Sequence, residues 1–342
     1  MKEQISILVI YTGGTIGMIK DPESGTLLPF DFETITSLIP EIKTLGYQID
    51  SWSFDPLIDS SNVSPAVWIE LSHVIGKNYD KYDGFVVLHG SDTMAFSSAA
   101  LSFILDNLNK PVVFTGSQLP MGVSRTDGRE NFITSIEIAA SKRGNKPMVP
   151  EVSLYFEYQL YRGNRVHKFS AENFEAFRSI NYPVLAEAGV NIKFNTNAIR
   201  KADELPLKIH ECLDTNVAIL KLFPGISPQV VNSILNTKGL KGVILETYGS
   251  GNAHTDKWFL DTLKRAIDKN IIIFNVTQCR GGAVEMHKYH TGKELEKLGV
   301  IGGHDMITES AIAKLMYLLG CGYKVEKVKR LLQENLRGEL TL

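Results

Sequence analysis

Residues 8–18 read LVIYTGGTIGM. The apolar, β-branched run that begins at Ile5 reaches Tyr11 and Thr12, then meets Gly13-Gly14, Thr15, Ile16 and Gly17. A run of that kind emptying into two glycines reads as a buried strand that stops at a tight turn. In a parallel sheet such a turn lies at the carboxyl edge, where ligands bind. The two hydroxyls beside the glycines, Thr12 and Thr15, can cap backbone groups of the turn or face a ligand, and the stretch alone leaves both readings open.

Outward from this stretch the pattern repeats. Strand-like runs cover residues 5–10, 48–54, 84–89, 111–115 and 152–156. Between them, residues 65–77, 93–107 and 128–142 carry apolar side chains at helical spacing, introduced by Ser64, Asp92 and Asp127 as candidate caps. Strand and helix in alternation predict an α/β domain whose mostly parallel sheet is covered by helices on both faces. Residues 193–213 are polar and without a period, and read as an interdomain linker. A second α/β series follows, with runs at 217–222, 228–235, 242–246, 256–268, 271–276, 306–319 and 325–334. The division is therefore a larger domain over 1–192, a linker over 193–213 and a smaller domain over 214–342.

Composition narrows the class of function. The 342 residues are 44% hydrophobic, enough for more than one core, and 36 Lys+Arg stand against 38 Asp+Glu, which leaves no basic face for a nucleic acid. No apolar stretch approaches the roughly 18 residues that a membrane span requires. The start, MKEQISILVIYTGG, lacks the apolar segment and cleavage site of an export signal, so the chain reads as cytoplasmic. Cys212, Cys279 and Cys321 are odd in number and far apart, as suits a reducing compartment.

Two further runs end as the first does. GFVVL at 84–88 passes through His89 and Gly90 into Ser91, Asp92 and Thr93, and VVFT at 112–115 passes into Gly116, Ser117 and Gln118. A strand-to-helix elbow exposes a hydroxyl beside unpaired amides, where an oxyanion or a carboxylate is held at least expense. Hydroxyl nucleophiles need a partner to take the proton. His89 sits beside the second turn but is expected to point into the core or support the sheet, and Lys168 in YRGNRVHKF is a candidate that sequence does not separate from Lys77, Lys110 or Lys142. Residues 19–30, IKDPESGTLLPF, form either a cover over the first turn or an inert loop. YTGGTIG lacks dinucleotide spacing, no phosphate loop is present, and His287 with His290 lacks a third metal ligand, so no cofactor and no metal is expected.

Taken together, YTGGTIG at 11–17, HGSDTMA at 89–95, TGSQLP at 115–120, SRTDGRENF at 124–132, YRGNR at 161–165, YGSGN at 248–252 and GVIGGHDMITE at 299–309 resemble the bacterial cytoplasmic, type I L-asparaginase family. The resemblance runs the length of the chain. It implies a larger flavodoxin-like N-terminal domain, a smaller α/β domain, a homo-oligomer that is a dimer or a dimer of dimers, and L-asparagine as substrate. It implies Thr15 as nucleophile, Ser91, Asp92 and Lys168 as a second catalytic group, and Ser60 with Asp59 at the substrate carboxylate. Asp92 would also hold the substrate ammonium, Ser117 would meet the side-chain amide through its main chain, and Asn252 would reach across a subunit interface. Hydrolysis would be a double displacement, and the single methylene between asparagine and glutamine, worth roughly 1–3 kcal/mol, leaves room for weak glutaminase activity.

Three departures from the family stand out. Ser91 replaces the usual threonine, removing a methyl that restricts rotamers. The loop tyrosine that orients the nucleophile in many relatives is missing from Gly25-Thr26-Leu27-Leu28, and Tyr289 is expected to take its place. Glu246 stands where some relatives carry an arginine that binds an activating asparagine; Cys279 of the same region is retained, and no such activation is expected. Two other readings are an asparaginase-like component of an amidotransferase acting on aminoacylated tRNA and a non-catalytic amino-acid sensor. The short lead before Tyr11 and the neutral charge argue against the first, and Lys168 among the hydroxyls argues against the second.

Overall fold

The computed structural model describes residues 4–20, 27–29, 39–202 and 205–342. Most of the 19–30 loop, and with it the expectation of a cover over the first turn, lies outside these residues. The chain forms two compact units, Met1–Ile209 and His210–Leu342.

Eight strands make the main sheet of the first unit: β1 Ser6–Tyr11, β2 Gln48–Ser53, β3 Gly84–Leu88, β4 Val112–Thr115, β5 Val152–Phe156, β6 Gln159–Arg162, β7 Ala186–Ala188 and β8 Ile192–Phe194. Their order is β8-β7-β6-β5-β4-β3-β1-β2. The first five strands are mutually parallel, and β6, β7 and β8 continue the sheet as antiparallel neighbours. The parallel part has the flavodoxin order, in which the chain reverses direction of winding between β1 and β3. Their carboxyl ends open onto a crevice, and that switch point is where such sheets bind ligands.

Helices α1 Pro65–Lys77, α2 Met94–Ile104 and α3 Gly128–Ala140 cover the sheet. Ile7 and Val9 of β1, Val86 and Leu88 of β3, Val113 of β4, and Phe132 and Ile136 of α3 join one buried cluster. Helix α2 is shorter than the 93–107 run because Leu105-Asp106 leave it to pair with Lys208-Ile209, and Asn107 then turns at φ 59°. The capping expectation is corrected in detail. Ser64 and Asp127 do precede their helices, but neither side chain bonds a first-turn amide, and Asp92 lies two residues before the start of α2.

The second unit holds β9 Val217–Lys221, β10 Gly242–Thr247, β11 Ile272–Thr277 and β12 Ile301–Gly302, parallel and in that order. Its helices are α4 Pro228–Leu235, α5 Lys257–Asp268, α6 His290–Leu298, α7 Thr308–Gly320 and α8 Val325–Gln333. Val231 and Leu235 of α4 and Phe259 and Leu263 of α5 bury one face with Val243, Leu245 and Ile273. A fully buried ion pair, Lys314 to Glu339 at 2.6 Å, ties the end of the chain to α7.

Candidate active site

Three turns follow the carboxyl ends of β1, β3 and β4, and glycines bring them into backbone contact. Gly13 and Gly14 adopt φ 130° and 95°, which favour glycine. A methyl on Gly14 would lie 2.5 Å from the Gly90 Cα, and one on Gly90 would lie 2.5 Å from the Ser60 Oγ. The turn carrying Thr15, the turn carrying Ser91 and the segment carrying Ser60 are thereby packed together. Thr15 opens a 3-10 turn, Thr15–Gly17, whose end is pinned by the buried Tyr11 hydroxyl donating to the Gly17 carbonyl at 2.9 Å. Thr12 is the capping hydroxyl of the pair, donating to the Leu88 carbonyl at 2.9 Å. The Thr15 hydroxyl has no hydrogen-bond partner among the described residues.

Ser91 and Asp92 stand half-buried and exposed at the end of β3. The strand pair His167-Lys168 with Phe177-Arg178 delivers Lys168 to them. Its ammonium donates to the Ser91 Oγ at 2.8 Å and to Asp92 Oδ1 at 2.7 Å. Lys110 and Lys142, equal candidates by sequence, are used elsewhere: Lys110 bonds the carbonyls of Tyr79 and Tyr82, and Lys142 pairs with Asp83. The Ser91 hydroxyl donates onward to Gln118 Oε1 at 3.4 Å, and Gln118 is anchored through its Nε2 to the Asn173 carbonyl.

His89 is a core residue. Its Nδ1 lies 2.7 Å from the Gly90 carbonyl, its Nε2 lies 3.0 Å from Ser97 Oγ, and Trp68 Nε1 donates to that same hydroxyl at 2.9 Å. Only the Nδ1–H tautomer satisfies all three contacts, since the carbonyl must receive a proton and Ser97, accepting from Trp68, gives its own to Nε2. Full burial pushes the imidazole down to about 4, so it is neutral near pH 7. The bond also turns the Gly90 C=O into the core, and in a planar trans peptide the Ser91 N–H then points the opposite way.

Ser60, buried, opens a short 3-10 turn, and its carbonyl accepts from the Thr93 hydroxyl at 2.7 Å, tying the turn to the β3 elbow. Asp59 is exposed and caps that turn through Ser61, whose amide and hydroxyl hold its carboxyl below the usual range. Ser117 is buried, with its hydroxyl donating to the Leu119 carbonyl at 2.6 Å, so its main chain is the part left to face a ligand. Beneath it lies Asp127, which accepts from the amides of Gln118 and Leu119; burial raises its pKa, against the pull of those bonds.

The remaining expected residues belong to the second unit. Asn252 forms a bridge with Tyr248 and accepts from the Thr291 hydroxyl at 2.6 Å. Tyr289, two residues earlier, is 51% exposed at the start of α6. Asn252 and Tyr289 thus flank one corner of this unit. Glu246 is buried on β10, accepting from the Thr308 hydroxyl at 2.6 Å and pairing with Lys221. Burial, with Glu246 nearby, pushes Glu309 up to about 7. The sequence placed Thr93 and Gln118 in the candidate turns without a role for either, and missed Asn131, which only its adjacency to Asp127 signalled. Among the described residues, no group of three or more His, Cys, Asp or Glu is placed to hold a metal, and no helix is long and apolar enough to cross a membrane.

Two domain models match the chain: the N-terminal asparaginase domain over residues 6–200 and the glutaminase/asparaginase C-terminal domain over residues 216–332. With the hydroxyl, lysine and carboxylate gathered at the switch point, they define the class, and the chain belongs to the asparaginase family. Among its relatives is L-asparaginase 1 of Escherichia coli strain K12, 41% identical and covered over 98% of both chains. The crystal structure of L-asparaginase I from Vibrio cholerae superposes with a TM-score of 0.90 at 40% identity, covering 99% of this chain and 100% of that one. The thermostable L-asparaginase from Thermococcus kodakarensis superposes equally well, with a TM-score of 0.90 at 30% identity over 98% of this chain and 99% of that one.

Proposed function

We infer that this protein is an L-asparagine amidohydrolase, converting L-asparagine and water to L-aspartate and ammonia. The observation that carries the reading is the Lys168 ammonium bridging Ser91 and Asp92 beside the Thr15 turn. In the proposed double displacement, the Thr15 hydroxyl attacks the side-chain amide carbon and passes its proton through the Ser91 hydroxyl to Lys168, which enters this step as the neutral amine and gives the proton on to the leaving nitrogen. The C–N bond breaks, ammonia leaves with a proton, and a Thr15 ester remains. Water then attacks the ester, aspartate departs, and the Thr15 hydroxyl is restored. Backbone N–H groups near Ser91 and Ser117 stabilise the oxyanion in both steps.

The substrate zwitterion is held at both ends before chemistry begins, its carboxylate at Ser60 with Asp59 at the edge and its ammonium at Asp92. The Ser117 main chain meets the side-chain amide. Asn252 completes the site from a neighbouring copy in a dimer or dimer of dimers, and Tyr289 orients Thr15. The setting is the cytoplasm. Ammonia release from L-asparagine by the purified protein, and its loss in Thr15→Ala, test the reading. A labelled acyl adduct trapped on a residue other than Thr15 would overturn the mechanism.

A further inference from the structure

Asp127, the residue before α3, and Asn131, one turn further on in it, are both buried, and both reach the turn after β4. Asp127 takes the Gln118 N–H at 2.9 Å through Oδ2 and the Leu119 N–H at 3.1 Å through Oδ1. Asn131 uses both ends of its amide: Nδ2 donates to the Gly116 carbonyl at 3.0 Å, and Oδ1 accepts from the Glu157 N–H at 3.0 Å. Nδ2 also lies 3.3 Å from Asp127 Oδ2, which links the two side chains.

These bonds determine how the Ser117 peptide groups face, because the C=O and the N–H of one planar trans peptide point in opposite directions. With the Gln118 N–H drawn to Asp127, the Ser117 C=O points away from α3. With the Gly116 C=O drawn to Asn131, the Ser117 N–H points away as well. The side opposite α3 is that of the β3 turn, where the Ser91 hydroxyl meets the Gln118 side chain. Ser117 is 2% exposed, and neither its C=O nor its N–H has a hydrogen-bond partner among the described residues. A buried acceptor left unpaired is at a disadvantage that a ligand donor removes.

We propose that Asp127 is a positioning residue for the leaving group: by holding the Gln118 amide it aims the Ser117 carbonyl at the substrate's side-chain NH2, which that carbonyl accepts as ammonia departs. This rests on the asparagine amidohydrolase reading above. The carbonyl recognises a hydrogen-bearing leaving group and therefore favours amides over esters, whose leaving oxygen carries no hydrogen.

The test compares L-asparagine with the β-methyl ester of L-aspartate in wild-type protein and in Asp127→Asn. The variant keeps one acceptor oxygen but turns an NH2 toward the backbone amides. The expected result is a fall of about tenfold or more in kcat for asparagine, the equivalent of roughly one hydrogen bond at the transition state, with the ester rate changed less than about twofold. Should Asp127→Asn not fold, the amide-to-ester ratio is read in Asp127→Glu, which retains the carboxylate with its reach altered, and the same direction is expected. Equal loss on both substrates, or no change in the ratio, overturns the proposal and leaves Asp127 a merely structural residue. A wild-type protein that releases no ammonia from asparagine would instead sink the underlying reading.

Discussion

Lys168 donates to the Ser91 hydroxyl at 2.8 Å although the two residues are 77 positions apart in the chain. The same ammonium holds Asp92, so one cation orients a hydroxyl and a carboxylate on consecutive residues. Replacing it with an uncharged chain of similar length removes the proton path and leaves the packing nearly intact. Lys168→Met is expected to lower kcat about 10²- to 10⁴-fold with little change in melting temperature, read by ammonia release and thermal unfolding. Retention of more than half the wild-type rate would remove Lys168 from the mechanism.

Ser91 rotates more freely than the threonine of many relatives, and its only described partners are Lys168 and the more distant Gln118. Ser91→Thr is expected to hold or raise kcat through tighter positioning. A steady-state loss of activity in that variant would count against the argument.

If Tyr289 orients Thr15, Tyr289→Phe removes one hydrogen bond from the nucleophile. Turnover should fall about tenfold, with the ring's packing retained. Full turnover in the variant would leave the phenol without that role.

Glu246 is buried with Thr308 and Lys221, and by the resemblance it would stand where some relatives use an arginine to bind an activating asparagine. Like charges repel, so initial rates are expected to rise hyperbolically with asparagine. A sigmoidal curve that Glu246→Gln alters would show an effector site that includes this residue.

His89 carries the sharpest pH expectation. Its folded value of about 4 lies below the ordinary 6.5, so the folded state disfavours the imidazolium relative to the unfolded chain. The stabilisation from a neutral His89 is present above about pH 6.5 and is lost as pH falls from there to about 4, a swing on the order of 3 kcal/mol. Denaturant unfolding between pH 7 and pH 4 should show that loss, and His89→Asn, which cannot take up the proton, should flatten it. An identical acid slope in the variant would rule out His89 as its source.

The parallel half of the fold was legible because each strand is a short apolar run closed by a glycine or hydroxyl turn, as at Gly13, Gly90 and Gly116. The antiparallel edge was not. The turn between β5 and β6 places Glu157 and Tyr158 at φ 45° and 67°, so it lacks the glycine or asparagine that usually marks such a hairpin. Helix α6 escaped notice because its buried side is thin, resting chiefly on Leu295. Thr15, Ser91 and Asp92 could be picked out from their turns, but Lys168 could be distinguished from other lysines only by resemblance, since the contact it makes is long-range. Asp127 was read by its place before a helix. Its backbone does stand there, yet its carboxylate faces the neighbouring turn, and side-chain direction at a helix start is not written in local spacing.

The backbone contact between Gly14 and Gly90 bears on any attempt to evolve this protein toward other amides. One methyl on Gly14 would act as a wedge between the turn carrying Thr15 and the turn carrying Ser91, and one on Gly90 would press on Ser60 instead. Mutant libraries are best spent on rim side chains such as Gln118, with both glycines held constant.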